Sequence, residues 1–141
     1  MIVLCSGGFD PLHVGHVNYL QVAASNGWIT IALNSDAWLS HKKGYFFMTW
    51  QERARILNAL WCVHDVYQVK DVDGTVCEAL RQVKPDIFAN GGDRIEANPA
   101  EHAACEELGI EELFNVGGGK VRSSSELVKA TYDHHANALQ D

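Results

Sequence analysis

Several features that would define other classes of protein are missing from this chain of 141 residues. Its apolar runs all fall well short of the roughly 20 residues that a membrane-spanning helix needs, so we expect no membrane segment. The first residues lack a basic start followed by a long apolar stretch, which argues against a secretory signal and for a cytoplasmic protein. The pattern G-x-G-x-x-G does not follow the first apolar run, which disfavours a redox or flavin-binding protein.

Closely spaced cysteines are also missing. The four cysteines (Cys5, Cys62, Cys77 and Cys105) are widely separated and form no C-x-x-C pair. Zinc cages and redox sites usually bring cysteines close together in sequence, and disulfides belong mainly to oxidising compartments. We therefore expect reduced, mostly buried thiols and no metal site built from cysteine.

Positive charge is scarce, with 11 Lys and Arg against 18 Asp and Glu and a formal net charge of -7. An acidic surface repels nucleic-acid phosphates and anionic lipids, so neither partner is expected. Seven of the 11 basic residues nevertheless lie in three short segments: Lys42, Lys43, Arg53, Arg55, Arg94, Lys120 and Arg122. If the fold joins these segments, the chain gains a positive pocket suited to a small anion such as a nucleoside triphosphate.

Apolar runs typical of buried strands alternate along the chain with segments of helical periodicity. The predicted strands span residues 1–8, 28–34, 65–69, 86–92 and 110–116, and the predicted helices 13–26, 50–63, 75–83, 99–109 and 123–139. Residues 35–48 are polar and are predicted to be irregular. This alternation predicts a single α/β domain over residues 1–141, with a Rossmann-like, doubly wound, parallel five-stranded sheet and helices on both faces.

In such sheets a ligand binds beyond the carboxyl ends of the strands, and the first loop carries a strong signal for phosphate. Glycines there allow close approach of a ligand, and two histidines three residues apart share one side of a helix start. The backbone N–H groups of that helix start add donors and partial positive charge. Two histidines alone fall short of a zinc site. The candidate residues are Gly7, Gly8, Phe9, Asp10, His13, Gly15 and His16.

The segment GGFDPLHVGH resembles the motif G-x-F-D-x-x-H-x-G-H of the cytidylyltransferase-like nucleotidyltransferases, in particular their glycerol-phosphate and heptose-phosphate members. The resemblance implies transfer of CMP or AMP from CTP or ATP to a phosphorylated small molecule, with release of pyrophosphate. It also implies Mg²⁺ as cofactor and a homodimer. We take CTP as the expected nucleotide and ATP as the alternative. A non-catalytic nucleotide-binding or regulatory module of the same fold, and an enzyme acting on a carboxylate acceptor, stay open.

Two further segments resemble phosphate-binding parts of the family. Lys42 and Lys43 lie where the family has a lysine loop that folds over the triphosphate, and a bare lysine pair is otherwise typical of a solvated loop. Arg53 matches the arginine of an E-x-R element that reaches phosphate. By resemblance, His13, His16, Lys43 and Arg53 are the catalytic candidates. Residues 46–47 are Phe-Phe where heptose-type members have Arg-Pro, which weakens a heptose-phosphate assignment.

The last two resemblances concern the base and the leaving group. Asp93, in the sequence Gly-Gly-Asp, matches an element close to the base and ribose, although a simple turn explains it equally well. Residues 123–125 match a serine and threonine segment that holds the β- and γ-phosphates, although serines also cap helices. Some relatives carry an arginine earlier in that loop, which Lys120 or Arg122 must replace. The nucleotide-binding candidates here are Lys42, Asp93, Lys120, Arg122, Ser123, Ser124 and Ser125.

Overall fold

The computed structural model describes residues 1–92, 96–118 and 124–140, apart from the side chains of 124–125 and 135–140. Strands and helices alternate through these ranges, as the sequence predicts. The elements are β1 (Ile2–Gly7), α1 (Val14–Ala24), β2 (Trp28–Leu33), α2 (Asp36–Lys43), α3 (Trp50–Asn58), β3 (Val63–Gln68), α4 (Cys77–Val83), β4 (Ile87–Gly91), α5 (Pro99–Leu108), β5 (Glu111–Val116) and α6 (Ser124–Gln140).

The five strands form one parallel sheet in the order β3-β2-β1-β4-β5. The chain moves outward from β1 to β3, then crosses to the other side of β1 and continues through β4 to β5. The strand order therefore reverses at β1, and ligands of doubly wound sheets bind at such a reversal. The predicted fold class is confirmed.

Helices cover both faces of the sheet. On one face, Leu20 of α1 and Leu57 of α3 belong to a buried apolar cluster with Ile31 of β2. On the other face, Leu80 of α4 and Cys105 of α5 pack with strand residues in a second cluster. Strands buried on both sides explain the continuous apolar runs of the sequence.

Helix α2 corrects the expectation that residues 35–48 are irregular. It begins where the Ser35 hydroxyl accepts the N–H of Trp38 at 3.0 Å, and it ends at Gly44, whose φ of 86° is left-handed. Leu39 is its buried residue, so this helix of eight residues lacks the apolar periodicity that reveals longer helices. Its last turn carries Lys42 and Lys43.

The boundary between α3 and β3 also differs from the prediction. Helix α3 ends at Asn58 rather than residue 63, and β3 begins at Val63 rather than residue 65. Val63 pairs with Ile29 of β2, and a register irregularity follows at once, which hides the strand start from a simple alternation test. The remaining strand and helix ends lie within two residues of the predicted ones.

Tryptophans and cysteines occupy contrasting environments. The indole N–H of Trp50 donates to the carbonyl of Leu33 at 3.1 Å, whereas Trp61 is 84% exposed. All four cysteines are free and three are buried; burial raises the pKa of the Cys5 thiol to about 12, which keeps it protonated. No helix in the described part of the chain is both long and apolar enough to cross a membrane.

A buried aspartate joins the loops that follow β2 and β3. Asp71 accepts hydrogen bonds from the Asn34 side chain at 3.0 Å, the Ser35 backbone N–H at 2.9 Å and the Ser35 hydroxyl at 2.7 Å. The residue is 6% exposed, so these three bonds replace water that the carboxylate has lost. They fix the start of α2 at the carboxyl edge of the sheet.

Replacing Asp71 by Asn should destabilise the protein by about 1–3 kcal/mol, because the amide turns a donor toward groups that are themselves donors. Urea unfolding measures the change. Asp65→Asn is the matched control, since Asp65 is exposed and accepts a hydrogen bond from the adjacent Val66 N–H. Equal stabilities of the two variants would contradict a stabilising role for the hydrogen bonds that Asp71 accepts.

Candidate active site

A cavity of about 930 Å³ opens at the carboxyl ends of the strands, around the point where the strand order reverses. The end of β1, the start of α1 and helix α2 line one part of it. The ends of β4 and β5, the start of α5 and one side of α6 line the rest. The loops after the first, second, fourth and fifth strands thus share one space, as expected for this sheet.

The first loop is folded tightly beneath this cavity. Gly8 passes so close to α2 that an added Cβ would lie 2.6 Å from Cδ2 of Leu39. Phe9 has a φ of 50° and is buried, and its ring centroid lies 4.8 Å from that of His16. Gly7 and Gly15 line the cavity as well. The loop therefore exposes backbone and histidine to a ligand while it buries its phenylalanine.

His13 and His16 form a reciprocal cap at the start of α1. Nδ1 of His13 accepts the backbone N–H of Gly15 at 3.1 Å, and Nδ1 of His16 accepts the backbone N–H of His13 at 3.2 Å. The two rings stack with centroids 3.8 Å apart and an interplanar angle of 22°. The arrangement is a capping box in which imidazoles replace the usual hydroxyl and carboxylate.

This hydrogen bonding assigns the tautomer of both rings. A nitrogen that accepts an N–H carries no proton, so in each ring the proton resides on Nε2. Burial, together with the neighbouring His13 and Lys43, lowers the pKa of His16 to about 3. His16 is therefore neutral at pH 7. Both histidines line the cavity and supply N–H donors without carrying charge.

Helix α2 supplies two of the lysines that line the cavity in the described residues, Lys42 and Lys43. Nζ of Lys43 donates to the carbonyl of Asp10 at 3.3 Å, and Nζ of Lys42 lies 4.7 Å from the ring centroid of Trp38. Burial lowers the pKa of Lys43, partly offset by Asp10. A phosphate at the histidines would thus have a lysine within the same small space.

Arg53 and Asp10 lie behind the cavity wall instead of facing the ligand space. Arg53 is 1% exposed, and its guanidinium donates to the carbonyls of Met48, Gly8 and Asn34 at 3.0, 2.9 and 2.8 Å. It also pairs with Asp36 at 2.7 Å. The structure does not bring Arg53 to the cavity, although the sequence predicts a phosphate contact.

Asp10 has a comparable structural setting. Its carboxylate is 1% exposed and accepts the backbone N–H groups of Phe47 and Met48, the latter at 2.7 Å. It thereby ties the segment after α2 to the first loop. Its carboxylate is not among the described side chains that line the cavity.

The other predicted site residues are described only in part. Asp93, Lys120, Arg122 and Ser123 lie outside the described residues, and Ser124 and Ser125 are described by their backbone, which begins α6. Helix α6 nevertheless reaches the cavity through Val128, Lys129 and Tyr132, which the sequence analysis missed. Tyr132 lies four residues after Val128 and three after Lys129, and this spacing, which makes it a neighbour of both on the helix surface, is the signal that could have found them.

The described residues offer few groups of side chains that could bind a metal ion. Among residues 1–92, 96–118 and 124–140, no three His, Cys, Asp or Glu side chains are grouped closely enough to hold one.

Together, the doubly wound sheet and the histidine-capped helix beside paired lysines define a Rossmann-like α/β protein with a cavity suited to phosphate. The model of the cytidylyltransferase-like family matches residues 4–116, most of the chain. The chain therefore belongs to the cytidylyltransferase-like family. The resemblance seen in the sequence is confirmed.

Individual proteins of known sequence agree with this assignment. The bifunctional protein HldE of Syntrophotalea carbinolica is 37% identical over 138 residues, which cover 95% of this chain and 27% of that protein. The HldE protein of Pelobacter propionicus is 44% identical over 95 residues, 65% of this chain and 19% of that protein. The chain thus spans about a quarter or less of the length of these relatives.

A solved structure supports the fold. The lipopolysaccharide core biosynthesis protein from Thermoplasma volcanium superposes with a TM-score of 0.65 at 23% identity, over 82% of this chain and 93% of that one.

The low pKa of His16 predicts how stability depends on pH. The unfolded chain binds a proton at His16 near pH 6.5, whereas the folded chain does so only near pH 3. Falling pH between these values therefore favours the unfolded chain, by up to about 1.4 kcal/mol per pH unit. Relative to His16→Gln, whose amide can preserve the cap, the wild type should lose stability from pH 6.5 downward in thermal melts.

His102→Gln is the control with the opposite sign. Glu112 raises the pKa of exposed His102, so this histidine stabilises the fold below pH 6.5 and ceases to do so as the pH rises through its folded pKa. A wild type that tracks His16→Gln at every pH would contradict the neutral, buried state of His16.

Proposed function

We propose that this chain transfers the nucleotidyl group of a nucleoside triphosphate to a phosphorylated small molecule and releases pyrophosphate. The acceptor's phosphate oxygen attacks the α-phosphorus in line, a new P–O–P bond forms, and the bond to the β-phosphate oxygen breaks. No covalent enzyme intermediate is needed. Catalysis then rests on bringing two anions together and stabilising the charge that develops between them.

The observation that carries this proposal is the stacked pair of neutral histidines at the start of α1. With both Nδ1 atoms occupied by backbone N–H groups, both Nε2–H groups are fixed donors, and no reorganisation is required when charge grows on the phosphates. The helix start adds a further positive field. His13 and His16 are the proposed donors to the α- and β-phosphates.

The lysines supply the charge that the histidines lack. Lys43, with Lys42, neutralises the triphosphate from the α2 side of the cavity. Lys43 makes a single hydrogen bond to the uncharged carbonyl of Asp10, and a negatively charged phosphate oxygen is a stronger acceptor that can replace it. Ser123 and Ser124, with Lys120 or Arg122, are the proposed ligands of the leaving pyrophosphate.

Mg²⁺ is the proposed cofactor. Where described side chains form no cage of three ligands, an ion bound mainly by phosphate oxygens and water suits the donor set, since Mg²⁺ keeps much of its hydration. When bound, it would neutralise charge on the triphosphate. The histidines and lysines then act on the oxygens that face the protein.

We propose ATP as the preferred nucleotide, ahead of the CTP expected from the sequence. The relatives reported above are HldE proteins, and the segments at residues 34–36 and 91–93 resemble the ATP-using, heptose-phosphate members of the family. The acceptor differs from heptose phosphate in this proposal, because Phe46 and Phe47 stand where those members have Arg-Pro. Both phenylalanines are exposed at the segment tied to Asp10.

Pyrophosphate release tests the proposal, with ATP and CTP each crossed against phosphorylated polyols, sugars and aminoalcohols. ATP should give the higher turnover, and His16→Ala should lower kcat by about 10²–10³-fold, because one preorganised donor is lost. His64→Ala is the control, as His64 is exposed and packs against Trp28 at the opposite end of the sheet. Near-normal turnover of His16→Ala would refute the assigned role, and nucleotide binding without pyrophosphate release would favour a regulatory module.

Arg53 has a different part in this proposal from the one the sequence suggests. It acts as a positioning residue, since its four hydrogen bonds join the first loop, the loop after β2 and the segment before α3. Three of its acceptors are backbone carbonyls, and the hydrogen bonds from Arg53 satisfy them in place of water. A lysine has at most three donors on one atom and cannot reach acceptors spread around a planar fork.

Arg53→Lys should therefore cost about 2–4 kcal/mol of folding stability, with nucleotide affinity falling little in the protein that stays folded. Urea unfolding and calorimetric titration with α,β-methylene-ATP measure the two effects. Arg55→Lys, an exposed neighbour on α3, should change neither. If Arg53→Lys leaves stability unchanged but causes a large loss of nucleotide affinity, Arg53 binds phosphate directly.

A further inference from the structure

The two halves of the sheet separate beside β1, where the strand order reverses. Strand β1 pairs with β2 along its whole length, up to Gly7, whereas its pairing with β4 ends at Cys5 opposite Ala89. Ser6 and Gly7 therefore pair with β2 alone among the strands, and both line the cavity. Buried backbone groups need hydrogen-bond partners, so another part of the chain must satisfy them in the gap between β1 and β4.

Tyr19 of α1 bridges this gap. Its hydroxyl accepts the backbone N–H of Ser6 on β1 at 3.2 Å and donates to the carbonyl of Ala89 on β4. The Cys5 thiol is a further hydrogen-bond neighbour of the same hydroxyl. Tyr19 is buried and lines the cavity. One side chain of α1 thus joins the two strands at the point where their own pairing ends.

The loops after β4 and β5 pack on the same tyrosine. A Cβ added at Gly91, the last residue of β4, would lie 2.6 Å from Cδ1 of the Tyr19 ring, and one added at Gly117 would lie 2.8 Å from the Tyr19 Cα. Glycine at these two positions allows both loops to approach α1 closely. Tyr19 therefore sets how far α1 lies from the β4 and β5 side of the cavity.

Tyr19 also lies close to the proposed phosphate donors. It follows His16 by three residues on α1, so the two side chains are neighbours on the helix surface. The capping box fixes the rings of His13 and His16 to the start of this helix. A movement of α1 relative to the sheet would therefore carry both Nε2–H groups with it. Where these donors point in the cavity depends on what anchors α1, and Tyr19 anchors it to both halves of the sheet.

We propose that Tyr19 is a positioning residue for nucleotidyl transfer. By bridging β1 and β4, it fixes the distance between the histidine donors on α1 and the loops after β4 and β5. Gly117 precedes in sequence the residues proposed to bind the leaving pyrophosphate, so this distance governs how the two ends of a triphosphate are held. The inference rests on the proposed function, because it assumes that a triphosphate lies between the two sides.

Tyr19→Phe tests the bridge, since it keeps the ring and its contacts with the glycines but removes the hydroxyl. In the pyrophosphate assay with ATP, kcat should fall about 10- to 100-fold, because small displacements of catalytic donors are costly to turnover. The KM for ATP should stay within about twofold, because the lysines still neutralise the bound triphosphate.

Tyr67→Phe is the matched control for the loss of a phenol hydroxyl. The Tyr67 hydroxyl donates to Glu78, and neither residue is among the described residues that line the cavity. This variant should keep the kcat of the wild type. Thermal melts verify that both variants are folded at the temperature of the assay.

Gly91→Ala tests the same contact from the opposite side. The backbone of Gly91 is not left-handed, so alanine fits its conformation, and the added methyl group meets the Tyr19 ring. The kcat of Gly91→Ala should fall. Tyr19→Leu makes room for the methyl group, so the kcat of the double variant should lie within about threefold of Tyr19→Leu alone. Additive losses would show that the two residues act separately and would contradict the proposal.

Magnetic resonance of the histidine rings gives a readout that does not need turnover. The Nδ1 and Nε2 resonances of His13 and His16 report on the hydrogen bonding of each ring. Tyr19→Phe should shift them in the ligand-free protein and reduce their response to saturating α,β-methylene-ATP, whereas Tyr67→Phe should change neither. A tyrosine that only stabilises the fold would lower the melting temperature and leave the rings of the folded protein unchanged.

Three results for Tyr19→Phe would overturn this role: an unchanged kcat, ring resonances identical to those of the wild type, or equal losses of kcat and nucleotide affinity. The last result would make Tyr19 a direct contact of the nucleotide. A wild type that releases no pyrophosphate would instead count against nucleotidyl transfer. The ring resonances of the ligand-free protein would then still decide whether Tyr19 positions the histidines.

Discussion

The site depends on two hydrogen bonds from backbone N–H groups to imidazole nitrogens at the start of α1. They satisfy two of the donors that a helix start leaves open, and by the same contacts they set the proton on Nε2 of both rings. A local rule of helix capping thereby determines the chemistry of the cavity. A hydroxyl and a carboxylate would cap this helix equally well, but they would not present two N–H donors to a phosphate.

Buried polar side chains give this helix start its surroundings. Arg53 donates hydrogen bonds to loop carbonyls, whereas Asp10 and Asp71 accept hydrogen bonds from loop N–H groups, and these loops have no regular structure to satisfy those groups. Loops at the carboxyl edge of a parallel sheet must leave room for a ligand, so they cannot pack against each other as strands do. Charged groups buried among backbone partners replace that missing packing, and breaking one such set is costly because its partners stay buried.

The sequence predicts the sheet and the first loop well, because both depend on local patterns. Continuous apolar runs indicate buried strands, and the spacing of His13 and His16 places them together whatever the rest of the fold does. Residues that act over long distances are harder to predict. Arg53 matches a phosphate-binding motif by sequence, yet whether its guanidinium faces a ligand or three backbone carbonyls depends on how the loops meet. The α6 side of the cavity was not predicted for the same reason, whereas helix α2 was not predicted because it is short and has a single buried residue.

The distribution of charge in the cavity follows from the different roles of the histidines and the lysines. With His16 neutral, the cavity's positive charge in the described residues comes from Lys42, Lys43 and Lys129, while the chain as a whole carries a formal charge of -7. Such a surface repels long polyanions, which must lie across it, but a small triphosphate can enter the cavity and meet the lysines. Neutral histidines also avoid a cost that charged ones would impose, because two imidazolium rings stacked beside Lys43 would repel each other and the lysine. In the proposed reaction, charge neutralisation by the lysines is therefore separate from directed hydrogen bonding by the helix cap.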